Sequence, residues 1–383
     1  MEENFLMPKI SILKKQKDIV SKKDFDNVIF YTTIILVFIG IIMVFSASYV
    51  QSAFKHGDSY HFLKRNLIFA ILGFISMMII SNIHYEFWKK HAKIIGIVSI
   101  VLLLLVLTPL GIKLNGARRW LGVGSATIQP AELAKFATIV ITAKLIEKKY
   151  GDIKSLKKGV IPLLIVPMIF FILIMLQPNM STAGTIILVA FVMIFVAGMN
   201  MKIVVGMFVS GVFLFLALAL TSPYRLKRVL SFLDPFQDPL GNGYQVIQGL
   251  YALGSGGLFG MGLGKSQQKW FYIPEPQNDF IFAIIGEELG LIGCSIVILL
   301  FVILVYRCVI IALKCPDIFS CMMVIGIGAQ IGIQAALNIA VATSSMPVTG
   351  VALPFISYGG TSLTILMSAI GIVLNISRNV KIN

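Results

Sequence analysis

The sequence is short of charged residues, cysteine and histidine. Asp, Glu, Lys and Arg make up 13% of its 383 residues, whereas a soluble domain usually carries about 25%. With a mean hydropathy of +0.91, this scarcity of charge argues against a soluble protein. The four cysteines form no CxxC pair and fall in or near apolar segments, so a disulfide framework is not expected. The four histidines show no metal-ligand spacing.

The sequence contains many long apolar runs. A helix needs about 20 apolar residues to cross a bilayer, and the sequence shows no ten-residue alternation of the kind that membrane β-barrels require. The predicted fold class is therefore an all-α polytopic membrane bundle of about ten transmembrane helices. The predicted spans are 28–49, 64–82, 94–110, 131–147, 160–176, 182–198, 203–220, 280–304, 318–341 and 357–376.

The distribution of positive charge predicts the orientation. Residues 1–27 are polar and are interpreted as a cytoplasmic tail rather than a signal peptide. Counted together with the charged residues at the adjoining span ends, the inner side then holds 20 of the 32 Lys and Arg residues and the outer side 11, in agreement with the positive-inside rule. The tail 377–383 is predicted to be cytoplasmic as well. Topology thus explains most of the +15 net charge, and a nucleic-acid partner is the weaker interpretation.

The largest predicted loop, residues 221–279, lies outside between the seventh and eighth spans. Loops of this length are usually functional or disordered. Its sequence predicts a basic amphipathic segment at 222–232, a short helix at 244–253 and a glycine-rich turn region at 254–264. The turn region is not a nucleotide-binding P-loop, because Phe259 stands where that pattern requires glycine. We expect the loop to pack over the outer mouth of the bundle.

Acidic residues near the eighth span are candidate site residues, because charge inside a membrane needs a partner or a function. Asp279 stands at the outer start of that span, where it meets both water and an outer ligand. Helix N-capping is its alternative role. Glu287 and Glu288 lie deeper, so they are expected to face partners within the bundle or to be protonated. They are interpreted as structural or relay groups.

A second set of candidates precedes and enters the fourth span. Glu132 and Lys135 are three residues apart and therefore share a helix face. Together with Arg118 and Arg119, Lys135 can face an anionic head group. A self-paired surface couple is the alternative interpretation. Residues 346–362 contain two prolines and a Gly-Gly pair, which predicts an irregular cavity wall at the outer face.

Four motifs, taken in order, resemble those of the SEDS family (shape, elongation, division and sporulation). They are "NGARRW" with "QPAELAK" in 115–135, the loop sequence 222–266, "YIPEPQNDFIFAIIGEELG" from 272 to 290 and "MPVTGVALPFISYGGTS" from 346 to 362. The resemblance covers nearly the whole chain after about residue 28 and is closest to the division and sporulation branch. Asn278 departs from the family pattern, in which Thr is expected before the Asp.

The resemblance implies a peptidoglycan glycosyltransferase that polymerises lipid II at the outer face of the cytoplasmic membrane. It implies a catalytic role for Asp279 and substrate-binding roles for Arg118, Arg119, Glu132 and Lys135. It also implies a divalent cation, Mg²⁺ or Mn²⁺, and a class B penicillin-binding protein as partner.

Two other functions stay open at this point. A lipid II flippase is expected to show inverted repeats and helices broken at the midplane, and the sequence shows no convincing repeat between 28–198 and 203–376. A non-catalytic scaffold of a cell-wall synthase would not depend on the chemical form of Asp279.

Overall fold

The computed structural model describes residues 24–380, apart from 115, 124–125, 221–231, 233 and 242. These residues contain eleven α-helices, which confirms the all-α class. The helices are α1 (Asn27–His56), α2 (His61–Ser81), α3 (Glu86–Leu107), α4 (Pro130–Lys148), α5 (Ile161–Met175), α6 (Met180–Val196), α7 (Met201–Leu220), α8 (Tyr244–Gly256), α9 (Ile281–Leu313), α10 (Ile318–Ala342) and α11 (Gly360–Arg378).

Ten of these helices coincide with the ten predicted spans, and α8 with the predicted short helix. Seven segments are long and apolar enough to cross a membrane, and α6 and the described part of α7 are apolar but shorter. The polytopic bundle is therefore confirmed. The amphipathic segment predicted at 222–232 lies outside the described residues except for Phe232, as do residues 1–23 of the N-terminal tail and 381–383 of the C-terminal tail.

Polar side chains fix where several helices begin. Asp26 accepts a hydrogen bond from the backbone N–H of Ile29 at the start of α1. Asp317 does the same for Ser320 at the start of α10. Each satisfies a backbone donor that has no partner within its helix.

Helix α4 lies at the centre of the bundle. It packs against α3, α5, α6 and α10, and most of its side chains are buried. Because it is enclosed on nearly all sides by protein, its buried charges can be compensated by protein groups. Helix α4 is not one of the seven segments long and apolar enough to cross a membrane, and this enclosed position explains how Glu132 and Lys135 are buried in its first two turns.

A small sheet joins α3 to α4, which the sequence analysis did not predict. Its strands are β1 (Ile112–Leu114), β2 (Ala117–Val123) and β3 (Ala126–Ile128). They pair antiparallel in the order β1-β2-β3, with Lys113 opposite Arg118. The sheet places the basic residues of this loop on a defined surface.

Helix α9 is broken at Gly290, which has φ 67° and ψ −166°. The loop backbone before α9 fills the break. The carbonyls of Glu287 and Glu288 accept hydrogen bonds from the N–H groups of Met261 and Gly262. On the other side of the break, two N–H groups of α9 donate to the carbonyls of Gly257 and Leu258. A Cβ at Gly290 would lie 2.4 Å from the nitrogen of Gly260, so this crossing requires glycine.

The break lies about 13 Å along α9 from Ile281, at 1.5 Å per residue. Part of the loop 221–279 therefore runs alongside the span, in addition to any part that covers the mouth. Irregular backbone at membrane depth requires internal hydrogen bonds, and the exchange with residues 257–262 supplies them.

Candidate functional site

Asp279 lies just outside α9 and is partly buried. The N-cap residue of α9 is Phe280, so the alternative role of Asp279 as the N-cap is wrong. Its carboxylate lies against the backbone of the 346–362 motif. A methyl group at Gly350 would be 3.3 Å from the Oδ2 of Asp279. Gly350 also has φ +72°, a conformation that favours glycine.

The irregular segment predicted at 346–362 holds the backbone that leads to Asp279. The N–H of Tyr358 donates to the carbonyl of Gln277 over 2.9 Å, and the hydroxyl of Ser357 donates to the carbonyl of Asn278 over 2.7 Å. This segment, from α10 to α11, has no regular secondary structure through most of its length. It forms a wall beside Asp279.

Glu132 and Lys135 form an ion pair inside the bundle, with 2.8 Å between Nζ and Oε1. Their side chains are 8% and 4% exposed respectively, so the alternative of an exposed surface couple is wrong. The second carboxylate oxygen of Glu132, Oε2, is buried and has no hydrogen-bond partner among the described residues. A charged oxygen in that position can accept a further donor or a cation.

Arg118 and Arg119 lie next to each other on β2 and bind different carbonyls. Arg118 donates to the carbonyl of Thr108 at the end of α3 over 3.1 Å. Arg119 donates to the carbonyls of Gln177 and Pro178, in the turn between α5 and α6. Arg119 thus ties the sheet to that turn.

An open cleft lies between this turn and the β1–β2 hairpin. Lys113 and Arg118 stand on its wall together with Gln177 and Pro178. Lys113 was not among the residues singled out from the sequence. The only sequence signal for it is its position in the same loop as the two arginines, between the third and fourth predicted spans.

Two hydrogen bonds join the small sheet and α6 to the elements around Asp279. Ser181, in the first turn of α6, donates to the carbonyl of Thr349, the residue before Gly350. Thr361, at the start of α11, donates to the carbonyl of Thr127 on β3 over 3.3 Å. The elements that carry Arg119 and Asp279 are therefore connected around one end of the bundle.

A second ionic cluster lies beside the break in α9. Glu287 accepts hydrogen bonds from the hydroxyl of Ser266 and the N–H groups of Gln267 and Gln268. Glu288 pairs with Lys269, with 2.8 Å between Nζ and Oε1, and both side chains are 0% exposed.

Helix α1 completes this cluster, because the hydroxyl of Ser46 is 2.7 Å from both carboxylate oxygens of Glu288. The prediction that Glu287 and Glu288 face partners in the bundle is confirmed. Their structural role is to hold residues 266–269 of the loop against α1 and α9.

Over nearly its whole length, the sequence is similar to those of known proteins. Residues 26–382 match the family model of the cell cycle proteins FtsW, RodA and SpoVE. The chain belongs to the FtsW/RodA/SpoVE family. It is 47% identical over 354 residues to stage V sporulation protein E of Bacillus subtilis (strain 168). The aligned residues cover 92% of this chain and 97% of that protein. It is also 42% identical over 360 residues to the probable peptidoglycan glycosyltransferase FtsW of Trichlorobacter lovleyi, covering 94% of each.

Solved structures of family members share the fold. A chain from a peptidoglycan synthase complex that coordinates polymerization and crosslinking superimposes with a TM-score of 0.78 at 29% identity, covering 94% of this chain and 99% of that one. The rod shape determining protein RodA of Thermus thermophilus gives 0.69 at 27% identity, covering 94% and 98%. The SEDS resemblance found in the motifs is confirmed.

Proposed function

We propose that this family member is a peptidoglycan glycosyltransferase that polymerises lipid II into glycan strands during cell division or sporulation. The observation that carries the proposal is the match over nearly the full chain to relatives that bear this activity in their names. Asp279, held at one end of the bundle, gives the reaction a candidate catalytic group.

Asp279 acts as the general base in this proposal. Glycan polymerisation needs an acceptor sugar hydroxyl to lose its proton as it attacks the donor sugar. A positioned carboxylate that accepts this proton contributes roughly 10²–10⁴ in rate. The position of Asp279 just outside α9 supports the role, because an acceptor on a lipid carrier approaches at the boundary between water and membrane.

Basic residues stabilise the leaving group, a polyprenyl pyrophosphate. Lys113 and Arg118 on the cleft wall provide positive charge for an anion of this kind. Lys135 is already paired with Glu132, so Glu132 orients it for substrate. Arg119 maintains the geometry of the mouth through the turn between α5 and α6.

A divalent cation is part of this proposal. Among the described residues no group of three or more His, Cys, Asp and Glu side chains could hold a metal ion. Mg²⁺, however, is commonly bound by one or two carboxylates together with substrate phosphates and water. Glu132, with its unpartnered buried Oε2, is a carboxylate that would hold such an ion. The cation would supply positive charge to the pyrophosphate.

The partner in this proposal is a class B penicillin-binding protein, which cross-links the new strands. Support comes from the synthase complex whose chain shares this fold. The site faces the outside of the cytoplasmic membrane and both termini face the cytoplasm, an orientation that the distribution of Lys and Arg supports.

Reconstitution tests the function directly. The purified chain, with its penicillin-binding partner in detergent or proteoliposomes, is expected to convert lipid II into glycan chains that resolve as a ladder on a gel. A scaffold would yield no ladder in any preparation. A flippase would move lipid II from one leaflet of the proteoliposome membrane to the other without consuming it. The break in α9 does not favour a flippase, because loop backbone fills it.

Cysteine labelling tests the proposed orientation. Leu240 is 89% exposed, and a side chain at Gly151 meets no atom within 4 Å. In a variant whose four native cysteines are replaced, Leu240→Cys should react with an impermeant maleimide on intact cells. Gly151→Cys should react only after permeabilisation. Labelling of both from the same side would contradict the orientation.

The buried pair in α4 gives a double-mutant prediction. Lys135→Met leaves the Glu132 carboxylate buried without its counter-charge, and Glu132→Gln leaves Lys135 in the same state. Each single variant should therefore lose lipid II polymerisation and thermal stability. The double variant should be more stable than the sum of the two losses indicates, because residues in contact couple by about 0.5–3 kcal/mol. Strictly additive changes in thermal unfolding would show that the two side chains act separately.

A further inference from the structure

The three residues that end at Asp279 have each of their carbonyl oxygens bound from another part of the chain. The N–H of Tyr358 donates to the carbonyl of Gln277, and the hydroxyl of Ser357 donates to the carbonyl of Asn278. The third, the carbonyl of Asp279 itself, accepts a hydrogen bond from the Nδ2 of Asn338 over 2.9 Å. All three distances are those of well-formed hydrogen bonds. The backbone of Asp279 is therefore fixed from α10 as well as from the 346–362 segment.

Asn338 also joins these two supports to each other. Its Nδ2 donates a second hydrogen bond to the carbonyl of Val351 over 2.8 Å. Val351 follows Gly350, whose backbone lies against the Asp279 carboxylate. One amide group thus sets the distance between the backbone of Asp279 and the wall that its carboxylate faces.

The side-chain amide of Asn338 acts here as a hydrogen-bond donor and not as an acceptor. Asn338 is 1% exposed, and its Oδ1 is buried without a hydrogen-bond partner among the described residues. Leaving a buried acceptor unsatisfied destabilises the folded protein. An apolar residue of similar size would avoid that cost, but it would leave two carbonyls without a donor.

We propose that Asn338, supported by Ser357, is a positioning residue that orients the carboxylate of Asp279 for the reaction. The inference rests on the proposed function, in which Asp279 is the general base. A base must lie within hydrogen-bond reach of the proton it accepts. A displacement of about 1 Å can cost on the order of 10² in rate. Neither side chain needs to touch the substrate, because each acts through the backbone of residues 278–279.

The test replaces the donor and measures both catalysis and local order. Asn338→Leu, in the chain purified with its penicillin-binding partner, should lower kcat for lipid II polymerisation at least tenfold and change KM less than threefold. Ser357→Ala removes the hydrogen bond to the carbonyl of Asn278 and the one accepted from the N–H of Leu353, but it keeps both hydrogen bonds of Asn338 and should give a smaller decrease in kcat. In hydrogen-exchange mass spectrometry, peptides that contain residues 277–281 should exchange faster in both variants. Asn338→Gln keeps the amide and should retain more activity than Asn338→Leu.

Asn375→Leu is the matched control. Asn375 is also a buried helix asparagine, and its amide binds the carbonyl of Ser81 and the N–H of Tyr85. Ser81 is the last residue of α2 and Tyr85 precedes α3, while Asn375 lies near the end of α11 opposite to Gly360, so this substitution should lower thermal stability without a change in kcat or in exchange at 277–281.

The outcomes separate the two proposals. A wild-type preparation that makes no glycan would contradict the proposed function, and the exchange data would still decide whether Asn338 orders the segment. Active wild type with unchanged kcat in Asn338→Leu would overturn the positioning role. Equal losses of kcat in Asn338→Leu and Asn375→Leu would overturn it as well, since a general loss of stability would then explain both.

Discussion

Asp279→Asn should reduce lipid II polymerisation by at least about 10²-fold, because it removes the proton acceptor and keeps the shape of the side chain. The N-cap residue of α9 is Phe280, so the substitution takes no N-cap from the helix. The carbonyl of Asp279 that binds Asn338 also remains. Insertion, thermal stability and partner binding should therefore match those of wild type. The measurement is the initial rate of glycan formation by the purified complex.

Asp58→Asn is the control for this experiment. Asp58 is another acidic residue outside the predicted spans, and it forms an exposed ion pair with Lys64. Its substitution should leave the polymerisation rate close to that of wild type. Glycan chains of normal yield from purified Asp279→Asn protein, with contaminating polymerases excluded, would refute the role of Asp279 as general base.

Lys269→Met should destabilise the folded protein more than any of the other substitutions proposed above. Lys269 and Glu288 are both 0% exposed, so removal of the lysine leaves a carboxylate buried without its counter-charge. Breaking a buried pair in this way costs about 3–5 kcal/mol. The loop segment 266–269 should then separate from α1 and α9. Thermal unfolding of the purified chain should shift to a clearly lower temperature.

The double variant Lys269→Met/Glu288→Gln should recover much of the lost stability, because it removes both charges. Lys64→Met serves as the control, since its partner is Asp58 in an exposed pair with side chains 67% and 38% exposed. Exposed pairs contribute about 0–1 kcal/mol. If Lys269→Met were no more destabilising than Lys64→Met, residues 266–269 would not depend on the ion pair.

Features that depend on local spacing could be predicted from the sequence. Apolar runs of membrane-spanning length predicted ten spans, all of which are helices in the structure. The separation of three residues between Glu132 and Lys135 predicted that they share a helix face, and they form an ion pair. The motifs resembled the right family. Helical periodicity and bilayer thickness are sufficient for such predictions, because neither depends on which helices become neighbours.

Some features near Asp279 were only partly accessible from the sequence. The segment 346–362 was predicted to be an irregular wall, from its prolines and glycines. Its hydrogen bonds to residues 277 and 278 could not be predicted, because they require α10 and α11 to be placed first. The break at Gly290 was missed for a similar reason. A glycine within an apolar run is common in membrane helices and gives no sign that a loop will enter there.

Which buried polar groups become neighbours depends on how the helices pack. Asn338 is 59 residues from Asp279, and Ser46 is 242 residues from Glu288. In sequence, Asn338 is one of several polar residues in a mostly apolar helix, and Lys269 is one basic residue of a long loop. Their roles arise because a buried donor or charge must find a partner within the fold. That partner is set by helix packing between distant parts of the chain, which local spacing does not encode.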